Sequence, residues 1–157
     1  VAQRLRGDQR FNSILTAMEL DEDELPVGRQ MRRGQGAYGR SPAPRDVFAE
    51  FFGYDPSDPR DTVSGSIPQA LAMMNMPQIN RTINGRSTKA MLGRLLQIDD
   101  NDESIVLELY LRTLAREPSY AEIDAALEHL DQVDNRREAC EDLLWALLNS
   151  AEFLHRR

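Results

Sequence analysis

Gly34-Gln-Gly36-Ala-Tyr-Gly39 matches, letter for letter, the G-x-G-x-x-G pattern that cradles a pyrophosphate. That chemistry needs a strand before the glycines and a helix N-terminus after them, so that backbone N–H groups converge on phosphate oxygens. Here Arg32-Arg33 precedes the run and Arg40-Ser-Pro-Ala-Pro44 follows it. A glycine-rich loop is the better reading. Asp99-Asp100-Asn101-Asp102-Glu103 gathers the carboxylates a hard cation prefers, but lacks the central Gly and offset Glu of a calcium loop. Anions also favour a helix N-terminus, so capping is preferred there. His129 and Asp131 have no nucleophile beside them, and Cys140 is flanked by Ala139 and Glu141, with no basic residue adjacent to lower its pKa. A surface imidazole and a buried thiol are expected. Met73, Met74 and Met76 read as core filler, and Trp145, at helical spacing from Leu148, as a packing anchor. No nucleophile, base and oxyanion donors assemble. No catalytic, cofactor or metal site is therefore assigned.

Composition narrows the classes further. At 157 residues the chain is one ordinary domain, or one domain with an appended arm. Hydrophobic residues at 41% and charged residues at 29% exclude collagen-like and wholly disordered classes. One cysteine and two histidines exclude an internal disulfide framework and a histidine-rich zinc site. No apolar run approaches the ~20 residues of a membrane span. The opening Val1-Ala2-Gln3-Arg4 lacks the apolar stretch of a signal peptide, and its missing Met points to a trimmed start. The net charge is −7, with 6 basic against 15 acidic residues after position 98. Such an acidic half repels nucleic acid and anionic lipid. Of the 19 basic residues only Lys89 is lysine, which reads as a compositional habit before a function.

The elements that carry these residues are helical. Phe11, Ile14, Leu15 and Met18 predict a helix over about Asp8 to Leu20. Residues 26–45 hold four glycines, three prolines and five arginines and form a loop. A short helix from Arg45 to Phe52 and a turn at Tyr54–Pro59 follow. Ser66 caps a helix with Pro68 in its first turn, and Pro77 starts another that Asn84-Gly85 closes. Ser87 is expected to cap a third, and Asp100 or Asn101 a fourth. Ser119 with Glu122 forms a capping box opening a fifth, and Asn135 with Glu138 repeats it before a sixth. Period-two runs of β-branched residues are absent. The expected fold is all-α, a compact bundle of about six helices. Residues 1–44 form a loop-rich, partly helical arm and 45–157 the helical domain. Leu109, Leu114, Ile123, Leu127, Leu144, Trp145 and Leu148 should be buried together. The loop over residues 28–45 is either a solvated linker or a segment whose Arg29, Arg32, Arg33, Arg40 and Arg45 lie back across the acidic helices, with Phe48, Phe51 and Phe52 anchoring its far end.

Several runs of letters are not generic. They are Phe52-Gly-Tyr-Asp-Pro-Ser-Asp-Pro-Arg60, Ser66-Ile-Pro-Gln-Ala-Leu71, Met74-Asn75-Met-Pro77, Leu109-Tyr110 with Leu114, Arg116, Pro118 and Glu122, and Leu143 through Phe153. In this order they resemble the C-terminal region of the planctomycete cytochrome-associated proteins, the planctomycete-specific domain of unknown function numbered fifteen fifty-three. The resemblance covers about 45–157. It singles out Asp55, Asp58, Arg60, Gln69, Asn75, Arg116, Glu122 and Glu152 as a structural or interaction motif. Members carry an export signal, a further domain and sometimes a haem-attachment segment upstream, so the resemblance implies the cell envelope. It does not extend haem to this stretch. The last third is also similar to helical domains of bacterial surface proteins and to phycobilisome linkers. What this implies is a non-catalytic helical module that packs on the remainder of a larger protein or on another protein. Polysaccharide is the other candidate partner. The alternative is the C-terminal portion of a carbohydrate-active or redox-linked enzyme whose catalytic residues lie upstream.

Overall fold

The computed structural model describes residues 3–21, 45, 48, 71, 74, 77–86 and 89–156. Among them the chain is all-α, as expected. Seven helices have bounds within the described residues: α1 (Gly7–Met18), α2 (Pro77–Thr82), α3 (Met91–Ile98), α4 (Asp102–Leu114), α5 (Tyr120–Gln132), α6 (Arg136–Leu148) and α7 (Ala151–Leu154). The strands β1 (Gln3–Arg4) and β2 (His155–Arg156) are two residues each and pair antiparallel, Gln3 opposite Arg156. The Leu5 N–H donates to the Leu154 carbonyl at 3.0 Å, so the two ends of the described chain lie side by side.

Polar residues at helix starts satisfy N–H groups that have no partner within the helix. The Asn101 side chain accepts from the Ser104 N–H at 3.2 Å, choosing Asn101 over Asp100 as the cap of α4. Ser119 and Glu122 form the expected reciprocal box at α5. Asn135 caps α6 by accepting from the Arg137 N–H at 3.2 Å, a simple cap in place of the box expected with Glu138, and Ser150 caps α7 by accepting from the Phe153 N–H at 3.1 Å. The third expected cap is corrected. Helix α3 begins after Ala90, which is buried, has extended backbone and makes no side-chain cap; Ser87 lies outside the described residues.

The expected glycine stop is also corrected. Helix α2 ends at Thr82, and Gly85 has no positive φ. Gly85 is small because its neighbours are close. A Cβ there would lie 2.8 Å from Arg137 Cγ and 3.1 Å from Leu96 Cδ1, and its N–H donates to Glu141 Oε1 at 2.7 Å. The left-handed helix ends occur instead at Glu19 (φ 52°) after α1 and at Ala115 (φ 54°) after α4.

One core joins these helices. Phe11, Ile14 and Met18 of α1 share it with Ile105, Val106 and Leu109 of α4 and Leu144 and Leu148 of α6. The N-terminal helix is thus part of the same buried cluster as the later helices. Of the seven residues expected to be buried together, Leu109, Leu144 and Leu148 are fully buried. Leu114, Leu127 and Trp145 pack against the core while partly exposed. Ile123 is half-buried: it lies on the Ala126–Leu130 stripe of α5 but in the first turn, where the stripe runs out.

Arg45, Phe48, Leu71 and Met74 are helical, within the two helices expected over 45–52 and after Ser66. Phe48 anchors as expected, buried with its ring 5.4 Å from that of Phe11. Arg45 rests on α1: its guanidinium lies 4.8 Å from the Phe11 ring and donates to Asn12 Oδ1 at 2.9 Å. The rest of the arginine-rich loop, the G-x-G-x-x-G run and the Tyr54–Pro59 turn lie outside the described residues.

Candidate functional site

Local chain reversal positions the most connected side chain. The left-handed Ala115 ends α4, Pro118 is buried, and Ser119 opens α5, so Arg116 sits in a tight helix hairpin. Helix α7 brings Glu152 to the same point from 36 residues away. All five N–H donors of Arg116 are then used. Nε and Nη2 donate to Glu152 at 2.9 and 2.8 Å. Nη1 and Nη2 donate to Glu122 at 2.9 and 2.7 Å, and Nη1 also reaches the Glu117 carbonyl at 3.0 Å. Its carbon centre lies 5.6 Å from the Tyr110 ring centroid, within cation–π range.

Electrostatics follow from that geometry. The Arg116 guanidinium, aided by the Ser119 N–H and hydroxyl, holds the Glu122 carboxyl down at about 2. The two carboxylates in turn favour the charged guanidinium. Burial, then the nearby Glu122 charge, pushes the Tyr110 phenol up. This site is a saturated ionic clamp joining α4, α5 and α7. It has no unused donor with which Arg116 could bind an anion.

Of the eight motif residues drawn from the resemblance, the structure brings together three: Arg116, Glu122 and Glu152. Asp55, Asp58, Arg60, Gln69 and Asn75 lie outside the described residues. A second ion cluster was not legible beforehand. Glu19, at the left-handed end of α1, accepts from Arg94 of α3 and Arg112 of α4, and both lower its carboxyl.

The remaining candidates resolve into structure. Asp99 Oδ1 accepts from the Asn101 N–H at 2.8 Å, and Asp102 pairs with Arg136 at 2.6 Å. Among the described residues no three His, Cys, Asp or Glu side chains are placed to hold a metal ion. Cys140 is fully buried, and desolvation pushes its thiol up to about 11, against a smaller opposing pull from Arg136. His129 faces Asp142 on α6 at 3.6 Å.

A concave feature also lies among the described residues. A groove of about 590 Å³ runs between α5 and α6, bounded by Glu122, beside the clamp, and by His129 and Asp142. Ala121, Ala125 and Ala126 of α5 and Ala146 of α6 leave the space that Trp145, Leu143 and Tyr110 border. Trp145 is therefore both the expected core neighbour and a groove wall. Its only sequence signal was alanine where a larger residue would close the gap.

Comparison of the chain with protein-family models, curated proteins and solved structures returns no match.

Proposed function

We propose that this chain is a non-catalytic helical module, the C-terminal part of a larger bacterial envelope-associated protein, and that it works by packing against the remainder of that protein or a partner. The observation that carries this reading is the Arg116 clamp. The polar cluster that sequence resemblance singled out spends all five guanidinium donors inside the fold, tying three helices together. A group so committed positions helices; it does not turn over a substrate. No described helix is long and apolar enough to cross a membrane, which agrees with a module that docks instead of spanning.

The test uses two separately expressed pieces, residues 1–157 and the rest of the polypeptide that carries them. Co-elution of the pieces as a stoichiometric complex in size-exclusion chromatography is the expected result. Cleavage of a polysaccharide by residues 1–157 alone would overturn the reading.

A further inference from the structure

The groove between α5 and α6 deepens that reading by suggesting what the module receives. Its volume, about 590 Å³, falls within the range of sites that hold a ligand group or a few anchoring side chains. From Glu122 to His129 it follows two turns of α5, roughly 10 Å at the helical rise. That length matches anchors at i, i+3 or i+4, and i+7 of an incoming helix.

Charge selects the occupant. Among the described residues no arginine or lysine lines the groove. Adjoining Arg116 has every donor committed to Glu122, Glu152 and Glu117. The rim carries Asp142, with its side chain 60% exposed. By helical spacing, exposed Glu138 falls one turn before Asp142 on α6, and exposed Glu128 one turn after Ala125 on α5. An apolar floor with an acidic rim complements an apolar face flanked by cations. A second copy of this chain fits poorly, because its own net charge is −7.

We propose that this groove binds a basic amphipathic helix of a partner protein, its apolar anchors seated between Ala125 and Trp145 and its arginines or lysines on Asp142, Glu138 and Glu128. The inference rests on the module reading but is tested separately from it.

Trp145 is the single tryptophan of the chain, so its fluorescence reports occupancy of the groove directly. The probes are a panel of 16-residue amphipathic helical peptides without tryptophan or tyrosine, with Leu or Phe at i, i+4 and i+7. Each has either Lys/Arg or Glu flanks. The basic peptides should bind and shift Trp145 emission, and the acidic ones should not. Ala125→Leu, at an exposed position, should fill the groove and abolish the shift while leaving the circular dichroism unchanged. Asp142→Lys with Glu138→Lys should weaken binding at least tenfold without closing the groove. Equal binding of acidic and basic peptides, no binding by any basic peptide, or indifference to both variants would overturn the inference. So would dimerisation of the free chain with the same Trp145 shift, which would make the occupant a second copy. If the peptides fail while the two pieces of the larger protein still co-elute, the groove inference falls and the module reading stands.

Discussion

Replacing Arg116 by Ala removes five hydrogen bonds at once, four of them to carboxylate oxygens. The three side chains keep only about a third of their surface exposed: 33% for Arg116, 34% for Glu122 and 31% for Glu152. A single exposed ion pair contributes about 0.2–1 kcal/mol. Two forked pairs, with the contribution of about 0.5–1 kcal/mol from the Tyr110 ring, bring the expected cost to about 2–3 kcal/mol. In a chain of this size that lowers the thermal midpoint by about 4–12 °C. Arg116→Lys keeps the charge but replaces the planar fork with one ammonium, so it should recover less than half of the loss. A double-mutant cycle of Arg116→Ala with Glu152→Gln measures the interhelical coupling, expected at about 1 kcal/mol or more. The Arg6–Asp8 pair, with side chains 55% and 52% exposed, supplies an internal control expected below about 0.5 kcal/mol. Acid gives an independent readout. Glu122 is held at about 2 in the fold, below its ordinary value of 4.5. Its contribution is present in full above pH 4.5 and is lost as pH falls toward 2. In Arg116→Ala the Glu122 carboxyl should titrate closer to 4.5 by carbon-13 NMR, and the acid sensitivity of stability should shrink. A loss below about 0.5 kcal/mol, or a coupling no larger than the Arg6–Asp8 control, would refute the clamp as a structural element.

Four other perturbations read separate parts of the fold. Ala115→Gly should stabilise by up to about 1 kcal/mol, because Ala115 holds a left-handed φ of 54° that glycine adopts without a Cβ penalty; a fall in thermal midpoint would contradict this. Leu144→Ala should cost about 2–5 kcal/mol in urea unfolding, since the side chain is completely buried. Gly85→Ala should cost on the order of 1 kcal/mol through contact with Arg137 Cγ, and adding Arg137→Ala should recover most of it. Native Cys140 should resist iodoacetamide at pH 7 and react only on unfolding, because its thiol is buried and pushed up to about 11; labelling as fast as that of free cysteine would show an open core.

The parts of this fold that the sequence announced are those whose cause is local. Asn101, Ser119 and Asn135 cap helices through N–H groups two or three residues away, so letter and structure coincide. The all-α class was legible for the same reason, since apolar spacing of three and four repeats within each helix. The clamp was legible in pieces. Glu122 lies six residues from Arg116, but Glu152 reaches it only because α7 folds back across the hairpin. Its inclusion came from resemblance, not from spacing. The left-handed ends at Glu19 and Ala115 went unseen because neither carries glycine, and Gly85, which invited a turn, answers to Arg137 packed 52 residues further on. Glu19 gathers Arg94 and Arg112 over still longer separations. The groove is the limiting case, because its cause is missing volume. Each alanine in α5 is an ordinary helix former, and only the approach of α6, with Trp145 on its face, turns three small residues into a concave surface. A site made of absent side chains becomes visible only when the opposite wall is in place.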